Sequence, residues 1–244
     1  GEPNFDTPEH IKQSAIKAIE DNMTRYSANA GLYELRQAIA NKYTNEFGEP
    51  YSPENVMVTV GAMEAIFLTL MTIFNPGDEI IIPDPAYPNY IGAATMLGCK
   101  IVRIPLYEEN EFKLQPEDLE KAITPKTKAL LLNYPNNPLG AILEKEDVEK
   151  LAKVVKKHDI IVISDEVYDK IIYDGNKHFS MAQIPEVKKQ VLIINGFSKT
   201  YAMTGWRVGY IVGDEEIIGH MPKLQESIVS CSPVFIQKAA VDAI

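Results

Sequence analysis

Lys199 lies in the stretch Asn195-Gly196-Phe197-Ser198-Lys199-Thr200, after a short apolar run at 191–194 and before another at 206–212. A lysine on the connection at a strand's C-terminal end stands where open α/β sheets collect their ligands. Close to packed apolar residues an amine gives up its charge more readily than in water, and a neutral amine is a nucleophile. A solvated loop lysine is the plainer account of this residue taken alone. Arg207, eight residues on, reads as opening the next strand and offers a fixed fork suited to phosphate.

Three further strand ends carry unusual residues. After the run at 56–60 come Gly61, Ala62 and Met63, opening a helix, where free backbone N–H groups and the helix dipole can meet a phosphate. The spacing is neither GxGxxG nor GxxxxGK[ST], and a close-packed strand–helix turn would explain it as well. After the run at 130–132 comes Asn133-Tyr134-Pro135-Asn136-Asn137-Pro138-Leu139-Gly140. Its prolines turn the backbone away from helix, either as a surface turn or to present the Asn136 and Asn137 amides at one sheet edge. The run at 160–164 ends on Asp165, a carboxylate whose burial is costly without a partner. It either caps the following turn, with Tyr168 three residues on, or faces a positively charged ring nitrogen. An amine for a Schiff base, an acid for a pyridinium and a phosphate cradle together are what pyridoxal phosphate demands of a protein.

The elements that must position these residues alternate along the chain. Apolar strand-like runs fall at 56–60, 79–82, 101–106, 129–133, 160–164, 191–194 and 207–212, with helical patterns at 62–74, 89–97, 116–123 and 144–158 between them. Two more helices precede them, one starting at Thr7-Pro8 with a hydroxyl cap and a proline in the first turn. Continuous Val/Ile/Leu runs predict a mainly parallel seven-stranded sheet covered by helices on both faces, a three-layer α/β/α domain. No repeat, low-complexity tract or linker interrupts it.

With 45% apolar and 24% charged residues the composition is that of a globular protein. A formal net charge of −10 and the lack of a basic stripe argue against a nucleic-acid partner. Two cysteines, Cys99 and Cys231, without metal spacing, suit a reducing cytoplasm. His10, His158, His178 and His220 are scattered singly, so packing or surface roles are expected rather than metal ligation. No apolar run reaches bilayer-spanning length, so no membrane partner is expected.

The ordered motifs Asn136-Asn137-Pro138, Ser164-Asp165-Glu166-Val167-Tyr168, Ser198-Lys199 and Gly205-Trp206-Arg207-Val208-Gly209 resemble those of class I/II aminotransferases. These belong to the fold type I pyridoxal-phosphate family, and the aspartate and aromatic aminotransferase branch is nearest in pattern. The resemblance runs from Gly1 to about Gly213. It implies a transferase of nitrogenous groups that moves an amino group between an L-amino acid and a 2-oxo acid. Lys199 would hold pyridoxal 5'-phosphate as an internal aldimine and then shuttle the substrate's α-proton. Asp165 would keep the pyridine nitrogen protonated, Asn137 and Tyr168 would bond the phenolic oxygen, and Tyr87 would stack on the ring. Gly61, Ala62, Met63, Ser198 and Arg207 would hold the phosphate, and Tyr26 would reach the phosphate of the partner subunit in a homodimer.

Three positions depart from the family's pattern. Leu139 replaces a threonine, Gly196 replaces a serine three before the lysine, and Met63 replaces a polar residue. The resemblance also implies that residues 1–244 are the cofactor-binding large domain, with most of the small domain lying beyond them. A fold type I lyase or synthase on the same scaffold is the neighbouring reading. A non-catalytic, cofactor-sensing module of a regulator is the reading from another class.

Overall fold

A computed structural model describes residues 1–244. Eight α-helices and seven strands make up the chain. The helices are α1 (Glu9–Glu20), α2 (Tyr33–Phe47), α3 (Ala62–Ile73), α4 (Pro88–Met96), α5 (Pro116–Ala122), α6 (Lys145–His158), α7 (Glu215–Ile228) and α8 (Val234–Ala243). The strands are β1 (Val56–Thr59), β2 (Glu79–Asp84), β3 (Lys100–Pro105), β4 (Thr127–Asn133), β5 (Ile161–Asp165), β6 (Val191–Gly196) and β7 (Gly209–Val212). They form one sheet in the order β1-β7-β6-β5-β4-β2-β3. The β2–β3, β2–β4 and β4–β5 pairs are parallel, and β1–β7 at one edge is antiparallel. The expected mainly parallel α/β sheet is therefore present, and an antiparallel edge pair on such a sheet is common.

The chain divides into two compact units, Gly1–Leu68 with Ile194–Ile244, and Thr69–Ile193. In the first, every residue of β1 and β7 is buried, which is why these strands read as unbroken apolar runs rather than alternating ones. Helix α1 buries Ile11, Ala15 and Ala18 and packs against α8. Tyr43 of α2 meets Phe47, Tyr51 and Tyr210 in edge-on or tilted pairs, with centroids 5.1 to 6.2 Å apart.

In the second unit β2, β4 and β5 lie side by side. Helix α6 buries Val148, Leu151, Ala152 and Val155, spaced at three, four and seven residues so that they share one stripe. Its start is fixed by Asp147, whose carboxylate accepts from the Glu144 N–H at 3.0 Å.

Two expectations need correction. Thr7 does not cap α1: the helix follows Pro8 without a side-chain cap. The Thr7 hydroxyl instead donates to the Ala202 carbonyl and accepts from the Trp206 indole at 3.1 Å. Arg207 does not open β7 either. It follows a short 3-10 turn, Thr204–Trp206, and has left-handed backbone geometry with φ of 56°. A strand cannot include that conformation, so β7 begins at Gly209.

Candidate functional site

In the first unit three connections build a cradle. Strand β1 runs into Gly61, whose φ of +82° is a left-handed geometry that a side chain resists. A Cβ there would stand 2.5 Å from Arg207 Nη2, so the guanidinium occupies the space in front of this turn. Arg207 Nη1 donates to the Thr204 carbonyl at 2.8 Å, which fixes the fork's direction. Helix α3 starts at Ala62, so the N–H groups of its first turn, including those of Ala62 and Met63, have no intrahelical acceptor. Unsatisfied amides at a helix start, beside a guanidinium, make an anion site.

Gly209 lets the backbones come together, because a Cβ on it would lie 2.6 Å from the Ala62 nitrogen and 2.7 Å from the Gly61 carbonyl carbon. At Gly196 the approach is also close, since a Cβ there would meet the Gly209 Cα at 3.1 Å.

Lys199 and Ser198 lie on the turn that follows β6, tied by Met203 N–H to the Ser198 carbonyl at 3.2 Å and Tyr201 N–H to the Phe197 carbonyl at 3.2 Å. The Lys199 ammonium donates to the Gly1 carbonyl. Glu64, which the sequence reading passed over, stands in the first turn of α3 and accepts from the Val60 N–H. Burial pushes its carboxyl above the ordinary glutamate range. Tyr26 is 86% exposed.

The second unit gathers a carboxylate and three phenols. Asp165 ends β5 and is buried. Its Oδ2 accepts from the Tyr90 hydroxyl at 2.6 Å, and its Oδ1 accepts from the Val167 N–H at 3.2 Å. The second bond is the turn-capping role weighed for Asp165, and it uses only one of the two oxygens. Burial, then the Asp165 charge, pushes the Tyr90 phenol far up, so it remains a donor. Tyr87 packs edge-on against Tyr90, with centroids 5.4 Å apart. The Tyr168 phenol is also raised, first by burial and then by the Asp165 charge.

Asn133 ties the neighbouring turn to this strand end. Its Nδ2 donates to the Asp165 carbonyl at 3.1 Å, and its Oδ1 accepts from the Asn137 N–H at 2.9 Å. Of the two readings of this turn, Asn136 follows the structural one. Its Nδ2 donates to the Asn133 carbonyl at 3.2 Å and its Oδ1 accepts from the Leu139 N–H at 3.1 Å. Asn137 and Tyr168 line one cleft of about 420 Å³.

Behind Asp165, Glu166 is buried and accepts from the Ser164 and Ser180 hydroxyls at 2.8 and 2.6 Å. His178 Nε2 lies 2.9 Å from its other oxygen. Burial pushes Glu166 up, but the His178 charge and these bonds outweigh it and hold the carboxyl below its ordinary range. Sequence reasoning missed Tyr90 and the partner of His178. Tyr90 lies three residues after Tyr87, on the first turn of α4, and that spacing was the only signal.

Two substitutions test these halves. Gly61→Ala should destabilise the protein by about 1–2 kcal/mol through left-handed strain alone, read by urea denaturation, and should weaken anion binding by displacing Arg207. Tyr90→Phe removes a hydrogen bond to a buried carboxylate, so a loss of about 1.5–3 kcal/mol is expected. An unchanged urea midpoint in Tyr90→Phe would contradict the 2.6 Å contact.

Comparison with known proteins is consistent with this geometry. The family model for aminotransferase class I and II matches residues 1–244. Aromatic-amino-acid aminotransferase 2 of Thermococcus litoralis is 44% identical over 245 residues, covering 100% of this chain and 63% of that protein. Aspartate aminotransferase of Pyrococcus abyssi is 45% identical, with the same coverage. The solved structure of an aromatic aminotransferase from Pyrococcus horikoshii superposes with a TM-score of 0.96 at 45% identity, covering 99% of this chain and 65% of that one. The chain thus spans less than two thirds of the length of these relatives.

Proposed function

The chain belongs to the aminotransferase class I and II family, and from that premise we propose that it binds pyridoxal 5'-phosphate and transfers an amino group between an L-amino acid and a 2-oxo acid. The observation that carries the reading is the Gly61–Arg207 cradle, where a guanidinium fills the place a Cβ would take beside the open amides of α3. A phosphate fits that donor set, and a cationic ring nitrogen fits the buried Asp165 carboxylate, so the residues present suit the cofactor. The names of the relatives support amino-group transfer with aspartate or aromatic amino acids as the substrate class. No helix is long and apolar enough to cross a membrane; a cytoplasmic location is proposed on the family resemblance.

When bound, pyridoxal phosphate supplies an electron sink for the pair released at the substrate's α-carbon. Every other task falls to this chain's own groups. Arg207, Ser198 and the amides of 61–63 take the phosphate. Lys199 would hold the cofactor covalently, and its amine would serve as the base and acid for the α-proton. Asp165, held by Tyr90, would pair with the ring nitrogen, Tyr168 and Asn137 would bond the phenolic oxygen, and Tyr87 would cover the ring face. Tyr26 serves the phosphate of a second copy in a homodimer, and residues 1–244 form the large cofactor-binding domain.

The test is chemical. The chain is loaded with pyridoxal phosphate, reduced with borohydride, digested and mapped. The label is expected on the peptide containing Lys199, and label on any other lysine overturns the reading.

A further inference from the structure

Two glutamines that the proposed chemistry does not use are fully buried, Gln225 on α7 and Gln237 on α8. A buried amide costs free energy unless its donors and acceptors are matched, and a leucine or methionine would fill the same volume without that cost. Both amides are aimed at one loop. Gln237 Oε1 accepts from the Leu32 N–H at 2.7 Å, and its Nε2 donates to the Ser27 hydroxyl at 3.3 Å and the Ser232 carbonyl at 2.7 Å. Gln225 Nε2 donates to the Asn29 carbonyl at 2.7 Å and the Val58 carbonyl at 3.0 Å.

The backbone of the loop is constrained as well. Val58 N–H donates to the Ala30 carbonyl at 3.0 Å. Gly31 has φ of +102°, and a Cβ on it would lie 2.5 Å from Val58 Cβ and 3.1 Å from Gln237 Oε1. Residues 27–32 are thus fastened to β1, α7 and α8 from three sides. The residue at the head of this fastened loop, Tyr26, stands 86% exposed. A long side chain projecting into solvent needs no such mount for the fold's own sake. A side chain that must meet a group on another molecule does, because each degree of freedom left in the loop is lost again on contact.

We propose that Gln225 and Gln237 are positioning residues for cofactor binding, fixing residues 27–32 so that Tyr26 is presented to the phosphate held by a second copy of this chain. The inference rests on the role given to Tyr26 above. Neither glutamine touches the cofactor, and both act through the loop.

The test is a double-substitution cycle on the cofactor-free protein, titrated with pyridoxal phosphate and read by absorbance as a dissociation constant. Tyr26→Phe is expected to weaken binding roughly tenfold or more, as for a lost hydrogen bond to a charged group. Gln237→Met should weaken it by a similar factor. The double variant should bind within about twofold of Tyr26→Phe alone, because residues acting through one contact are not additive. Equal losses from Gln237→Met with and without Tyr26 overturn the clamp and leave the Tyr26 reading standing. No loss from Tyr26→Phe overturns that reading and the clamp together, and no loss from Gln237→Met overturns the clamp alone. If Gln237→Met fails to fold, Ser27→Ala takes its place in the same cycle. It removes only the hydroxyl that Gln237 reaches, and the same pattern of non-additivity is expected at smaller size.

Discussion

Lys199→Ala should lower turnover on the order of 10⁴-fold or more, since it removes a group assigned both covalent attachment and proton transfer. The amine sits on the turn after β6, and no other residue of that turn, 197–203, has a basic side chain to replace it. Lys199→Arg separates charge from chemistry. It keeps the cation, but a guanidinium does not lose its proton in a protein, so it can neither attack an aldehyde nor accept an α-proton. Both variants should therefore be inactive to a similar degree. The arginine variant should still bind the phosphate, because Arg207 and the start of α3 are untouched. The measurements are single-turnover amino-group transfer and cofactor retention after gel filtration. Lys199→Ala keeping more than about a hundredth of the wild-type rate would remove Lys199 from the reaction, since general acid–base catalysis alone supplies roughly 10²–10⁴-fold.

The legibility of these roles in the sequence follows from which interactions are local. The buried strands declared themselves because Val56 to Val58 and Val191 to Ile194 are apolar throughout, as the packing on both sheet faces requires. Helix α6 was legible through its period, and its real start lies one residue after the expected 144 because Glu144 is its N-cap. The failures are residues whose conformation depends on distant partners. Arg207 looked like the first residue of a strand because its neighbours are apolar, whereas its left-handed backbone is set by the turn that aims the guanidinium at Gly61. Thr7 looked like a cap because threonine before proline usually is one, yet Trp206 and Ala202, far along the chain, compete for its hydroxyl. His178 looked incidental for the same reason, since Glu166 reaches it only through the fold. Asn136 was half read: the motif marks the turn correctly, but the sequence cannot tell which amide is used inside the turn.

Asp165→Asn should leave cofactor binding nearly intact while cutting the proton-transfer rate by roughly 10²–10³-fold, the usual cost of removing one preorganised electrostatic partner. Asp165 is a buried carboxylate that accepts from the Tyr90 hydroxyl and the Val167 amide. A buried carboxylate is costly to keep ionised, and a cation placed opposite it lowers that cost and is itself held protonated in return. Asparagine preserves shape and can still accept one of the two hydrogen bonds, but it carries no charge to offer a ring cation. The cofactor-free Asp165→Asn protein should accordingly be no less stable than wild type, because a neutral amide is cheaper to bury than a carboxylate. Tyr90→Phe should behave in the opposite way, losing stability while keeping the charge and most of the rate. That crossing of effects separates an electrostatic role from a packing role. Urea midpoints of the cofactor-free proteins and single-turnover rates of the loaded ones measure it. A rate for Asp165→Asn within about threefold of wild type, well short of the loss expected for such a partner, would show that the charge at the end of β5 does not act on the reaction.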